Sequence, residues 1–411
     1  MGEILFLAHR IPFPPDRGDK IRSHHILKAL AKLAAVHVGT FADDEQDCDP
    51  EAELALTATT YYIAHRTKLL AIAGIQALAT RRPISIPAFA NSGLHSYVRQ
   101  ILATRPIATI YAFSSQMAQY IPADFAGRVV MDFVDVDSAK FEAYADLATQ
   151  PLKTLYAREG RLLAAYEGEV ARRADVTLLV TREEAALFRA RLDPASRIAS
   201  DIRALSNGLD CNTFSAAFVD PAPELARTPG PHLLFTGQMD YPPNVAAVVR
   251  FATRIMPAIR ERFGDAQFHI VGRKPSPAVA ALDGQAGTRV WGKVEDMRTW
   301  LVGADLVVAP LEIARGVQNK VLEAMAMGRP VLASPGAATG IAARNGVEIA
   351  IAGTDEEFIA RTLALLAAPE DRAALGLAAR QFIADHQSWP TMLADLPEIV
   401  GINPPGVRDA T

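Results

Sequence analysis

Short apolar or β-branched runs alternate with longer helical patterns from the start of this chain, and the alternation begins a second time at position 232. The first series places strands at 4–8, 36–41, 61–64, 109–112, 129–134 and 176–180. The second places them at 232–236, 267–271, 289–291, 306–309, 331–333 and 348–351. Apolar strands separated by helices build parallel sheets covered on both faces. At 411 residues the chain is also too long for one typical core. The expected fold class is therefore α/β, with two doubly wound, Rossmann-like domains facing a cleft. Four prolines within 220–231 interrupt any helix or strand there. The expected domains are 1–218, a linker at 219–231, a second domain at 232–385, and a C-terminal crossover helix and tail at 386–411.

Half the residues are apolar, 21% are charged and the formal net charge is -4. That balance fits a globular protein and disfavours nucleic acid as a partner. No apolar run reaches the length of a spanning helix, and the first residues lack the basic start of a signal peptide, so a cytoplasmic location is expected. Cys48 and Cys211 have no partner spacing and read as reduced and structural, with no metal site.

Between 66 and 82 an apolar helical pattern is bracketed by Arg66, Lys68, Arg81 and Arg82. The plainer reading, an ordinary sheet-covering helix, is favoured. The other is a peripheral contact with an anionic membrane, on the inner membrane's cytoplasmic face.

Ligands of doubly wound sheets bind outside the carboxyl ends of the strands. The first strand is followed by a long loop and then by Gly18 and Asp19 at the start of a helix, with Arg17, Lys20 and Arg22 adding charge. Those cations either face a phosphate or are simply solvated. Gly237 follows the first strand of the second series, with Asn244 as the N-cap of the next helix, and Gly272 is followed by Arg273 and Lys274. Gly-x-Gly-x-x-Gly is absent, which argues against a dinucleotide-binding dehydrogenase. Three such strand ends together suit a nucleotide diphosphate.

In 316–331 a polar loop passes into a helix that Gly328 ends and Pro330 keeps from continuing. Lys320 and Glu323 fall on one face of that helix. A surface ion pair is the plain interpretation, and a shared anionic ligand is the functional one.

The Val-Gly-Arg turn at 271–273, Trp-Gly-Lys-Val-Glu-Asp at 291–296, Ala-Asp-Leu-Val-Val-Ala-Pro at 304–310 and Leu-Glu-Ala-Met-Ala-Met-Gly-Arg-Pro-Val at 322–331 resemble a GT-B glycosyltransferase of the group 1 (GT4-like) family. Ser388-Trp389 resembles it too. The loop at 8–20 and Val-Asp-Val-Asp-Ser at 134–138 are most similar to sugar transferases associated with exosortase and exopolysaccharide clusters.

The resemblance implies transfer of a sugar from a nucleotide-diphosphate donor, held by the second domain, to a glycan or lipid-linked acceptor held by the first. The C-terminal helix would pack back on the first domain. Glu323 would accept hydrogen bonds from the donor ribose, and Lys320 with Arg273 would stabilise the departing diphosphate without a metal ion or other cofactor. Gly18, Gly237, Gly272 and Asn319 would line the donor. The family suggests retention of anomeric configuration. Arg315 stands where the family usually carries the first of two glutamates, and an arginine there can contact phosphate or an acidic sugar; Glu312 lies three residues earlier.

Asp132, Asp135 and Asp137 cluster around the end of a first-domain strand. Asp135 is the candidate for orienting or deprotonating an acceptor hydroxyl, with helix capping an equal reading. His9 is a second candidate base, although a polar loop histidine is the plainer assignment. Two alternatives keep the architecture and change the chemistry: a nucleotide-sugar epimerase, and a non-catalytic protein that binds a nucleotide sugar or a partner.

Overall fold

The computed structural model describes residues 2–15, 18–42, 51–66, 70–312 and 317–402. Two compact units result, one of Met1–Asn207 with the chain from Met392 onward, the other of Gly208–Thr391.

The first unit is built on a seven-stranded, all-parallel sheet in the order β3-β2-β1-β4-β5-β6-β7. Its strands are β1 (Glu3–Ala8), β2 (Val36–Ala42), β3 (Thr60–His65), β4 (Ile107–Phe113), β5 (Arg128–Val134), β6 (Val176–Leu179) and β7 (Ile202–Ala204). β2 is buried at every position, as a strand with helices on both faces requires. β7 has no counterpart in the sequence reading: it is three residues long, with Arg203 at its centre, and leaves no apolar run to detect.

The second unit has six parallel strands in the order β10-β9-β8-β11-β12-β13. These are β8 (His232–Thr236), β9 (Gln267–Val271), β10 (Thr288–Gly292), β11 (Leu306–Ala309), β12 (Val331–Ala333) and β13 (Ala350–Ile351). In both sheets the order runs outward from the first strand, reverses, and continues on its other side, which is the doubly wound arrangement. The helix Asn319–Ala326 ends before Gly328, which takes a positive φ of 67°. A Cβ on Gly376 would fall 2.3 Å from the Gly328 carbonyl oxygen, so the helix Pro369–His386 crosses this turn at backbone contact.

The proline-rich stretch is not a free linker. Pro223 opens a short helix, Pro223–Ala226, whose Leu225 is buried in the core of the second unit beside Ala222. Proline is well tolerated in a first helical turn, so the prolines that exclude a helix interior permit this start. The units divide at Asn207 and Gly208 instead.

The chain returns to the first unit at its other end. Thr109 Oγ1 donates to the Val400 carbonyl at 2.8 Å, Arg128 Nε to the Ile399 carbonyl at 2.6 Å, and Arg203 pairs with Glu398 at 2.8 Å. The helix Leu396–Val400 thus packs onto β5 and its neighbours, as the family resemblance implies.

Candidate active site

Three loops at the carboxyl edge of the second sheet are tied together by their backbones. Gly237 N–H donates to the Val271 carbonyl at 3.1 Å, Met239 N–H to Arg273 at 2.9 Å, and Gly272 N–H to Gly292 at 2.8 Å. This lacing requires glycine at 272, where a Cβ would lie 1.5 Å from the Gly237 oxygen. A cavity of about 820 Å³ opens beside the loops, lined on one side by Thr236, Gly237, Asn244, Gly272 and Arg273 and on the other by Asn319, Lys320 and Glu323.

Lys320 occupies the first turn of its helix. Its ammonium donates to Asn244 Oδ1 at 2.6 Å and lies 4.4 Å from the centroid of the buried Phe235 ring. Asn244 Nδ2 in turn donates to the Gln238 carbonyl at 2.9 Å. A Cβ on Gly237 would stand 2.9 Å from Lys320 Nζ and 2.8 Å from Asn244 Nδ2, so a side chain there would push on both ends of this contact. Burial pulls the Lys320 pKa down to about 8, with Glu323 acting in the opposite sense. Burial raises the Glu323 carboxyl, and Lys320 partly offsets that rise.

These contacts correct two sequence readings. Asn244 is not an N-cap, because the helix starts at Pro242 and the asparagine turns inward to hold Lys320. Lys320 and Glu323 influence each other's charge but form no ion pair. Among the described residues Glu323 has no hydrogen-bond partner, so it presents an open acceptor to the cavity. The first turn of the Asn319–Ala326 helix has no side-chain cap, which leaves backbone N–H groups on the same side.

Arg273 is exposed, donates to Gln238 Oε1 at 3.0 Å and makes no ion pair among the described residues. Lys293, which follows the positive-φ Gly292 at the end of β10, lines the cavity as a further cation. Sequence reasoning passed over it, although it lies in the Trp-Gly-Lys-Val segment that carries the family resemblance. Thr213 and Phe214 also went unrecognised, because they come from a stretch without periodicity; Arg298, paired with Asp296, donates to the Thr213 carbonyl at 3.1 Å and fixes that wall. Glu312 does not line the cavity and pairs with Arg250 at 3.6 Å. Arg315, like Arg17, Cys48 and Lys68, lies outside the described residues.

Gly18 and Asp135 belong to the first unit. Gly18 begins the helix Gly18–Leu33, and a Cβ there would meet nothing within 4 Å. Lys20 and Arg22, the cations beyond it, are not solvated. Each is 1% exposed, and Arg22 spans Asp132 through Nε at 3.0 Å and Nη2 at 3.2 Å while Nη1 donates to Leu205 and Asn207. Asp132 also accepts from Tyr111 and from Val134 N–H, so this acid is structural. Asp135 is partly exposed and is held by Lys140 at 2.8 Å, which reaches Asp137 at 3.3 Å. His9 stacks on Phe113 with centroids 5.8 Å apart, and its Nε2 lies 3.3 Å from Asp19. Asp19, hydrogen-bonded by His9 and Arg10, is held well below the usual carboxylate range. No group of metal-ligating side chains forms among the described residues.

Residues 230–368 match the family described as Glycosyl transferases group 1. No curated protein sequence matches the chain. The fold is shared with HepE of Anabaena, solved in complex with UDP, at 13% identity and a TM-score of 0.60 over 98% of this chain and 100% of that one. Sucrose-phosphate synthase from Thermosynechococcus elongatus aligns at 16% identity and a TM-score of 0.60, covering 97% of this chain and 98% of its own. WaaG, a glycosyltransferase involved in lipopolysaccharide biosynthesis, aligns at 16% identity and 0.56 over 97% and 100%. The match to the group 1 glycosyl transferases thus falls within the second unit, and the chain as a whole has the GT-B fold.

Proposed function

We propose that this protein is a glycosyltransferase whose second unit binds a nucleotide-diphosphate sugar in the cavity around Lys320, with a glycan or lipid-linked acceptor taken by the first unit. The observation that carries this reading is the lining of that cavity. Lys320, Arg273 and Lys293 bring positive charge without a carboxylate bonded to any of them among the described residues, uncapped N–H groups face the same space, and Glu323 offers an open acceptor. A diphosphate satisfies the donors, and vicinal hydroxyls satisfy the carboxylate.

Bond cleavage leaves negative charge on the diphosphate. Lys320, held in place by Asn244 before any ligand arrives, stabilises that charge without reorganising. Lysine and arginine supply this compensation in place of a divalent cation, so turnover is expected to be metal-independent. The acceptor hydroxyl attacks on the face from which the leaving group departs, with retention. Asp135 is the candidate to orient that hydroxyl, and Gly18 opens the helix that would approach the donor phosphates. The resemblance of the 8–20 and 134–138 segments supports a role in exopolysaccharide or cell-envelope synthesis.

Transfer and hydrolysis measured over a panel of nucleotide sugars test the proposal. One donor is expected to be consumed, with unchanged rate in EDTA. A protein that binds donors and never turns them over, or one that needs added manganese, is not the enzyme described.

A further inference from the structure

The helix Leu70–Thr80 contains no charged side chain, yet it lies on the surface of the first unit. Ile75 and Leu78 are 68% and 66% exposed and Ile72 is 47% exposed, while Ala77 is fully buried. The helix is anchored where Arg158 Nη2 donates to the Ala77 carbonyl at 2.9 Å. Arg158 belongs to the helix Leu152–Arg173, whose first turns expose Leu152 and Leu155. Isoleucine and leucine at such exposure, three residues apart along one helix, form an uncovered apolar strip that calls for a partner.

Charge identifies the partner. The stretch 66–82 carries Arg66, Lys68, Arg81 and Arg82 and no acid, in a chain whose net charge is -4. Arg81 and Arg82 are exposed directly after the helix, and Arg66 before it lies 5.2 Å from the Phe89 ring centroid. Cations at both ends of an uncharged apolar strip match an interface with acyl chains at the centre and anionic headgroups at the margins. A protein partner would find only Gln76 and Thr80 on the helix for polar recognition. Eleven residues span about 16 Å, too short to cross a bilayer but long enough to lie in its surface. No described helix is long and apolar enough to cross a membrane.

We propose that the helix Leu70–Thr80 seats the first unit on an anionic lipid surface, with Ile72, Ile75 and Leu78 entering the acyl boundary and Arg81 and Arg82 engaging headgroups. The proposal is independent of sugar transfer, so an inactive chain would still bind.

The test is cosedimentation of the full chain with vesicles of phosphatidylcholine alone or with roughly 30% phosphatidylglycerol. Binding is expected only to the anionic vesicles, and Ile75→Glu with Leu78→Glu is expected to weaken it at least tenfold. UDP affinity and the circular dichroism spectrum of that variant should match the parent. The indole introduced by Ile75→Trp should be quenched by brominated acyl chains, a readout that does not depend on the acidic variant folding. Absence of binding, equal binding by the Glu variant, or no added quenching in the Ile75→Trp variant would overturn the proposal. So would loss of self-association in the Glu variant with vesicle binding retained, since a second copy would then cover the strip.

Discussion

Lys320 and Asn244 are 76 positions apart in sequence, yet the lysine ammonium donates to the asparagine oxygen at 2.6 Å. The contact fixes a partly desolvated cation at the mouth of two strand-end loops before a ligand is present. Lys320→Ala is expected to lower kcat on the order of 10²-fold or more, with a smaller effect on donor affinity. Asn244→Ala should lower it less, because the charge remains but its position is freed. Steady-state kinetics on the two variants distinguish this from a structural role, which would move both parameters and the melting temperature together.

The lowered Lys320 pKa gives a direction for pH dependence. In the free protein the ammonium loses its proton around pH 8, whereas a bound diphosphate favours keeping it. Binding therefore takes up a proton above that pH, and UDP affinity should fall as pH rises from about 7 to about 9. Titration calorimetry in buffers of different ionisation enthalpy measures that uptake. Lys320→Arg, which stays charged, should remove the dependence.

Acid should weaken the second unit. Trp291 Nε1 donates to His269 Nδ1 at 3.1 Å, and His269 Nε2 lies 3.0 Å from His232 Nδ1. Indole only donates, so His269 is neutral, with its proton on Nε2 directed at His232. Burial, then the charges of His232 and Arg289, bring its pKa down to about 3 from 6.5. Between those values the unfolded chain binds the extra proton, and stability falls as pH drops through that window. The loss from about pH 7 to about pH 5 should be about 2 kcal/mol. Trp291, Trp300 and Trp389 are the chain's three tryptophans and all lie in the second unit, so urea unfolding followed by their fluorescence isolates it. His269→Gln should flatten the pH profile.

The buried pair of Arg22 and Asp132 should matter to the first unit alone. Asp132→Asn leaves a guanidinium that is 1% exposed without its counter-charge, at a cost of about 3–5 kcal/mol. The far-UV circular dichroism transition is expected to split, with its early part moving to lower urea and the tryptophan transition remaining.

Gly18 and Gly272, both candidates for close approach to phosphate, should respond differently to a methyl group. Gly272→Ala forces a Cβ into the Gly237 carbonyl and should abolish UDP binding by calorimetry. Gly18→Ala meets no protein atom within 4 Å and should leave stability intact, so a loss of UDP affinity in that variant would report approach of the Gly18 helix to phosphate.

Strands were legible where burial on both faces wrote a continuous apolar run: β8, β9, β11 and β12 have the bounds the sequence suggests. β7 was not, because Arg203 breaks its run and its pairing with β6 is set by tertiary contact. Within the cavity, Lys320, Glu323, Gly237, Gly272 and Arg273 could be anticipated because a helix start and strand ends imply a ligand edge. The inward turn of Asn244 could not, since asparagine near a helix start signals a cap equally well and only Lys320, distant in sequence, decides. The same limit hid the burial of Arg22, whose partners are Asp132, Leu205 and Asn207.

The return of residues 392–402 to the first unit has a consequence for synthesis. Val400 and Ile399 supply carbonyls to Thr109 and Arg128, so the unit begun first is completed by the last described helix. The second unit is contiguous from 208 to 391 and has all its strands once that stretch has left the ribosome. During elongation all seven strands of the first sheet precede the second unit, yet the surface that takes the Leu396–Val400 helix stays uncovered until the chain beyond residue 391 emerges.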